Sequence, residues 1–187
     1  MPGIFLPPGK RVFENKLMEE LFSLAGSVQT RLREEMSRAG VTYEDAAAPL
    51  NYANKSSIAR LLVKDRMSLE DTIKLMVLCK TPVIAITKPF KFKIEVKAGT
   101  MAQVDNLMDA LRISVFKPGA NERYRLPDGI TWEQVAAKTG FDSSKSARKS
   151  WFLLQTPLYL VVGLLQLLKL KEHSVTIENN AMLRISL

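Results

Sequence analysis

One stretch of this chain occurs twice, and that repetition constrains the fold more than any other feature. Setting Ile130 beneath Val41, an offset of about 89 residues, pairs VTYEDAAAPLNYANKSSIAR with ITWEQVAAKTGFDSSKSARK without a gap. Thr42 meets Thr131, Tyr43 meets Trp132, Glu44 meets Glu133, Ala47 and Ala48 meet Ala136 and Ala137, and Tyr52 meets Phe141. Identity is weak, but the pattern around both stretches follows one order: helix, two short helices about a tight turn, a further helix, and a β-hairpin. The expected fold is therefore mainly α with two small β-hairpins, built as tandem helix-turn-helix modules over residues 1–98 and 99–187.

The first copy carries its own start and stop signals. Thr42 can cap the free N–H groups of a first turn, with Asp45 as the acidic partner of a capping box. Ala46, Ala47 and Ala48 leave room for a second helix to cross closely. Leu50 faces a core, Asn51 tolerates the left-handed conformation that ends a helix, and Tyr52 closes the turn. Asn54 is a good N-cap for the second helix, whose buried face is Ile58, Leu61 and Leu62. Lys55, Ser56, Ser57, Ala59 and Arg60 remain outside. In the second copy Thr131 and Gln134 repeat the capping box, and Gly140 takes the place of Asn51. Ser150 falls where an apolar residue is expected, so the register is expected to be less regular there.

Periodicity supplies the rest. Leu17, Leu21, Leu24, Val28, Leu32 and Met36 recur at helical spacing within one long helix over 12–38. Ser68 with Asp71 predicts another capping box, followed by the stripe Leu69, Ile73, Met76 and Val77; Lys80, Thr81 and Pro82 end that helix. Residues 83–87 and the alternating 90–96 predict a hairpin turning at Lys88 and Pro89, with Phe90, Phe92, Ile94 and Val96 on one face. Lys97, Ala98 and Gly99 read as a linker and Thr100 as the cap of the next helix, with Met101, Val104, Leu107, Met108, Leu111 and Val115 at helical spacing. A polar loop spans 117–129. Leu158, Val161, Val162, Leu165 and Leu168 form a stripe, and a last hairpin turns at Asn179 and Asn180, residues suited to positive φ.

Composition narrows the function classes. A 187-residue chain with 47% apolar residues can bury a proper core. Its 27 Lys and Arg against 19 Asp and Glu give +8 and a pI near 9.6, a balance that suits a polyanionic partner. Cys79 is the sole cysteine, so no intramolecular disulfide can form, and it reads as a small buried hydrophobe. His173 is the sole histidine, which leaves no material for a histidine metal cluster and reads as structural. Glu19 with Glu20 and Glu34 with Glu35 are adjacent on a helix and do not face each other. There is no phosphate-binding glycine loop. No enzyme activity, cofactor or metal is expected. The N-terminal MPGIFLPPGKRVF is too proline-rich for a signal peptide, and the apolar run at 158–168 is shorter than a bilayer span. No membrane partner is expected, and a reducing cytoplasm is the expected compartment.

The TYEDAA helix, the Leu50-Asn51-Tyr52 turn, NKSSIARLL and the following MSLED together resemble the Cro/CI-type (Xre-family) helix-turn-helix domains of phage and bacterial repressors. The resemblance covers roughly 31–86; Pro49, and Asn51 where the family commonly has Gly, depart from its pattern. It implies a sequence-specific regulator that binds double-stranded DNA, nucleoid-associated or in the host cytoplasm, with tandem modules reading adjacent major-groove segments. By this resemblance Lys55, Ser56, Ser57 and Arg60 would face the groove, with Thr42, Tyr43 and Asn54 near phosphates. Ser143, Ser144, Lys145, Ser146, Arg148 and Lys149 form a denser basic, hydroxyl-rich patch in the second copy. The alternative is a protein-interaction module, an anti-activator or a small structural protein on the same scaffold. Hairpin edges or apolar helices could then join two chains as a homodimer. A basic peripheral-membrane protein is opposed by the lack of a basic amphipathic helix with a free apolar face.

Overall fold

The computed structural model describes residues 16–63, 67–116, 126–127, 129–152 and 155–187. The N-terminal 1–15, the start of the expected first helix at 12–15, and most of the polar loop at 117–129 lie outside them. The first copy contains α1 (Lys16–Ala39), α2 (Tyr43–Ala47), α3 (Lys55–Leu61), α4 (Leu69–Leu78), β1 (Val83–Ile86) and β2 (Phe92–Lys97). The second contains α5 (Met101–Ser114), α6 (Trp132–Thr139), α7 (Ser144–Phe152), α8 (Leu158–Leu167), β3 (Glu172–Thr176) and β4 (Met182–Ser186). The fold is mainly α with two small hairpins, and the element order repeats.

The local signals act as their chemistry dictates. Asn51 adopts φ 60, and the Tyr52 N–H reaches back to the Ala47 carbonyl at 2.8 Å. Gly140 does the same work at φ 73, with the Phe141 N–H on the Ala136 carbonyl at 3.0 Å. Asn179 and Asn180 both take positive φ in the β3–β4 connection. Ser68 caps α4 through the Asp71 N–H, but the capping box is only half made. The Asp71 carboxylate instead accepts the Ser68 hydroxyl at 2.8 Å and the Tyr52 hydroxyl at 2.9 Å, tying α4 to the turn of the first motif. Burial raises the pKa of Asp71 and also that of Tyr52.

The two copies do not sit in line. The hairpins join through β2 and β4 into one antiparallel sheet of order β1-β2-β4-β3. At the centre of the β2–β4 ladder, Glu95 faces Arg184, positions 89 apart in sequence. The flanking pairs Ile94↔Ile185 and Val96↔Leu183 exchange under that same shift. A second reciprocal contact stands between Ser68 and Pro157, which are equivalent positions. The Leu69 N–H donates to the Thr156 carbonyl at 2.9 Å, and the Leu158 N–H donates to the Met67 carbonyl at 3.0 Å. Antiparallel self-pairing of equivalent residues at two separate places is the signature of a two-fold axis. The copies are related by a rotation, and each one's first helix packs across the axis, α1 on α8 and α5 on α4.

That arrangement merges the cores. Buried residues of both copies form one apolar cluster, from Leu24, Val28 and Ile58 through Ile94 and Leu183 to Trp151 and Leu164. The sheet contributes Ile84, Phe92, Ile94, Val96, Val175, Leu183 and Ile185, all buried. The opposite face bears Lys93, Glu95 and Arg184: Glu95 pairs with Lys93 along β2 and with Arg184 across to β4. The edge-to-edge pairing of hairpins expected between chains thus takes place inside one chain, leaving β1 and β3 as the outer edges.

Candidate nucleic-acid interface

Each copy presents one short helix whose outward face is free. In the first, Thr42 caps α2: its hydroxyl accepts the Asp45 N–H at 3.1 Å, and the Asp45 carboxylate accepts the Thr42 N–H at 2.8 Å. The Thr42 hydroxyl and N–H hold the Asp45 carboxyl below its ordinary range. Ala46 and Ala47 are buried where α3 crosses, whereas Ala48 is exposed and takes no part in that crossing. Asn54 caps α3 through the Ser57 N–H at 3.1 Å. Ile58, Leu61 and Leu62 are buried, as their spacing predicts.

The second copy keeps this register. Ala147 and Trp151, one turn apart, are fully buried at the positions equivalent to Ile58 and Leu62, and Ser150 is only half-buried. The irregularity expected at Ser150 does not arise, because α7 runs on to Phe152 and the large Trp151 ring fills the space. Phe116 packs edge-on to Trp151 at 6.3 Å and stacks with Phe152 at 5.6 Å.

The twelve candidate positions divide by role. Lys55, Ser56 and Arg60 on α3, and Lys145, Arg148 and Lys149 on α7, are exposed, as is Ser146 beside them. Thr42, Asn54 and Ser143 are occupied as caps, Ser143 through the Ser146 N–H at 3.1 Å. Tyr43 is exposed at the start of α2. Ser57 and Ser144 are half-buried; Ser57 bonds Asn54 at 3.3 Å, and Ser144 bonds Glu133. Glu133 is held below its ordinary range first by its own backbone N–H, then by the Ser144 and Thr131 hydroxyls. These two serines support the helix start and leave the outward surface to their neighbours.

Sequence reasoning missed the groups that fix the far ends of these helices. The last carbonyls of a helix lack internal partners. Gln29 Nε2 of α1 donates to the Leu61 carbonyl at 3.1 Å, and Arg33 Nη1 donates to that of Leu62 at 3.3 Å. In the second copy Arg112 Nε of α5 donates to the Trp151 carbonyl at 3.1 Å, and Trp151 Nε1 donates back to the Arg112 carbonyl at 3.2 Å. Arg112 also forms a buried ion pair with Glu70 of α4, across the two-fold axis. Burial lowers its pKa to about 10, so it remains a cation at neutral pH. The available signal was a polar residue inside an apolar period: Gln29 beside Val28, and Arg112 beside Leu111.

Several cations elsewhere are matched: Arg31 and Arg38 pair with Glu35, and Lys74 reaches Asp105 at 2.8 Å. Among the described residues Lys55, Arg60, Lys145, Arg148 and Lys149 form no such pair, nor does any group of His, Cys, Asp and Glu suit a metal ion. Among those residues no helix is long and apolar enough to cross a membrane. Compared with protein-family models, curated proteins and solved structures, the chain matches none. The resemblance to Cro/CI-type domains therefore rests on the residues themselves.

Proposed function

We propose that the chain is a sequence-specific regulator that binds double-stranded DNA, of bacterial or phage repressor type, acting in the cytoplasm where that DNA is. One observation carries the reading: the second helix of each helix-turn-helix unit, α3 and α7, turns outward a face whose cations, Lys55 and Arg60 on one and Lys145, Arg148 and Lys149 on the other, are exposed and without carboxylate partners among the described residues. Cations left without carboxylate partners are available to phosphates, and their binding would release counterions from the duplex. Lys55 and Ser56 stand on the exposed side of α3 at its N-terminal turn, where a helix of such a motif meets base edges, and Arg60 stands exposed on its last turn. Arg60 suits the N7 and O6 acceptors of guanine, which a guanidinium can engage in a bidentate way. Thr42, Tyr43 and Asn54 stand at helix starts beside that face and suit phosphates. Lys145, Arg148 and Lys149 extend the same chemistry to α7. Two such helices occur in one chain, so pairing of chains is not needed to present both.

The test is retention on random-sequence duplex DNA as salt rises, followed by titration of Arg60→Ala at fixed salt. Binding that weakens steeply with salt, together with a loss of preferred-sequence affinity of roughly 5- to 150-fold in the variant, supports the proposal, the range being that of one good bidentate base contact. Release at very low salt with no preferred sequence assigns the scaffold to protein interaction instead.

A further inference from the structure

The symmetry between the copies bears on what kind of DNA site would suit them. Modules repeated by translation along a chain present their reading helices in the same sense and match a direct repeat. Modules related by a two-fold axis present them in opposite senses and match an inverted repeat, because operator symmetry mirrors protein symmetry. Here the relation is two-fold: Glu95 faces Arg184, Ser68 faces Pro157, and the bonds flanking each contact exchange between copies. The relation extends to the helices, since α1 crosses to α8 as α5 crosses to α4. It is held inside one folded core, with no second chain required.

The two outward faces are nevertheless chemically unlike. Under the repeat offset Arg60 corresponds to Lys149, Ala59 to Arg148, Ser56 to Lys145 and Lys55 to Ser144. The α3 face carries a guanidinium able to read guanine, near one lysine. The α7 face carries a guanidinium as well, Arg148, and adds two ammonium groups, Lys145 and Lys149, that act as point charges toward phosphate.

Resting on the DNA-binding reading, we infer that a single molecule of this chain recognises an imperfect inverted repeat: two unlike half-sites on one face of a duplex, one chain per site. Each arm holds one guanidinium able to read guanine, Arg60 on α3 and Arg148 on α7, and the α7 arm, with one more lysine, contributes more of the salt-dependent attraction. Half-site centres about 10 bp apart, or a multiple of that, would place both arms on one face of B-form DNA.

The experiment selects bound sequences from a pool of random duplexes with the full chain, then measures the mass of the complex on an enriched duplex. The expected result is an inverted repeat with non-identical arms and one chain bound. Arg60→Ala should erase base preference in one arm while leaving the other enriched. Lys149→Ala should weaken binding to all sequences and reduce the log-log salt slope by about one unit. A direct repeat, a lone half-site or two chains per inverted repeat overturns the inference and leaves the DNA-binding proposal standing. A pool that yields no preferred sequence overturns both.

Discussion

The interfaces α4 with α5 and α8 with α1 are mates under the two-fold axis, yet they are built from opposite materials. On α4, Glu70, Asp71, Thr72 and Lys74 are buried among apolar neighbours, and the joint to α5 is made by Glu70 with Arg112 and Lys74 with Asp105. On α8 every residue from 158 to 165 is buried, and apart from the Tyr159 hydroxyl their side chains are apolar. There the joint to α1 includes Phe22 against Tyr159 at 5.0 Å, and Gly163 lies beside Leu21 and Thr139. One backbone arrangement thus tolerates an ion-paired and an apolar solution. The difference is in tolerance: the polar joint depends on partners being present together, the apolar joint on volume.

The largest expected effect comes from breaking the polar joint on one side. Arg112→Met leaves the Glu70 carboxylate buried without its cation and should lower unfolding free energy by about 3–5 kcal/mol in denaturant titration. Adding Glu70→Leu should recover a large part of that loss, since an apolar pair of similar volume often replaces a buried ion pair without penalty. Failure of the double variant to recover would mean that the ion pair is not what makes the two joints differ.

The apolar packing of α8 breaks by overfilling where α6 of its own copy crosses it. A Cβ at Gly163 would run into the Thr139 Cγ2 methyl, so Gly163→Ala should cost about 1–3 kcal/mol by the same measurement. Thr139→Ser in that background should relieve it, because Ser lacks the methyl and retains the hydroxyl that donates to the Val135 carbonyl. The turns allow a finer comparison. Gly140→Ala forces a Cβ into the left-handed region and should cost about 1–2 kcal/mol. Asn51→Gly should raise stability by a few tenths of a kcal/mol, roughly, since the glycine bears no such strain.

The smallest effect is a pH dependence confined to the second copy. His173 on β3 lies 2.7 Å from the Ser114 hydroxyl of α5, and burial lowers its pKa below 6.5. Ser114 donates its proton to the Leu111 carbonyl at 2.9 Å, which leaves its oxygen to accept from Nε2–H of His173. With the folded pKa depressed, the unfolded chain takes up the proton first. Stability is therefore full above 6.5 and declines as pH falls through the window below it. The slope stays under the roughly 1.4 kcal/mol per pH unit that one whole proton gives. His173→Gln should flatten it in denaturant titrations run across about pH 5 to 8.

Much of this was legible in the sequence because it is local. Thr42 with Asp45, Thr131 with Gln134, Asn54, and the left-handed Asn51, Gly140 and Asn179 each act within a few residues, so composition and spacing suffice to find them. The repeat offset was legible too, but its meaning was not. Whether equivalent residues stand in line or face one another is set by pairs such as Glu95 with Arg184, far apart in sequence and silent in any periodic pattern. The stripe Leu69, Ile73 and Met76 of α4 is buried as expected, with Val77 half-buried at its edge. Burial of the helix's other face, with Glu70 and Lys74, follows only because α5 of the other copy covers it. Ser150 misled for a related reason: the apolar volume it lacks is supplied one residue later by Trp151. The outward cations were visible as residues, whereas the end-fixing roles of Gln29, Arg33 and Arg112 needed the tertiary contacts.

Affinity for one enriched duplex at fixed salt, measured for the parent chain, Arg60→Ala, Lys149→Ala and the pair combined, tests most directly whether both copies of this two-fold body read DNA. Loss of affinity in each single variant, with a larger loss in the combination down to the level of random-sequence duplex, is the predicted result. An Arg60→Ala or Lys149→Ala chain that binds as tightly as the parent would contradict it.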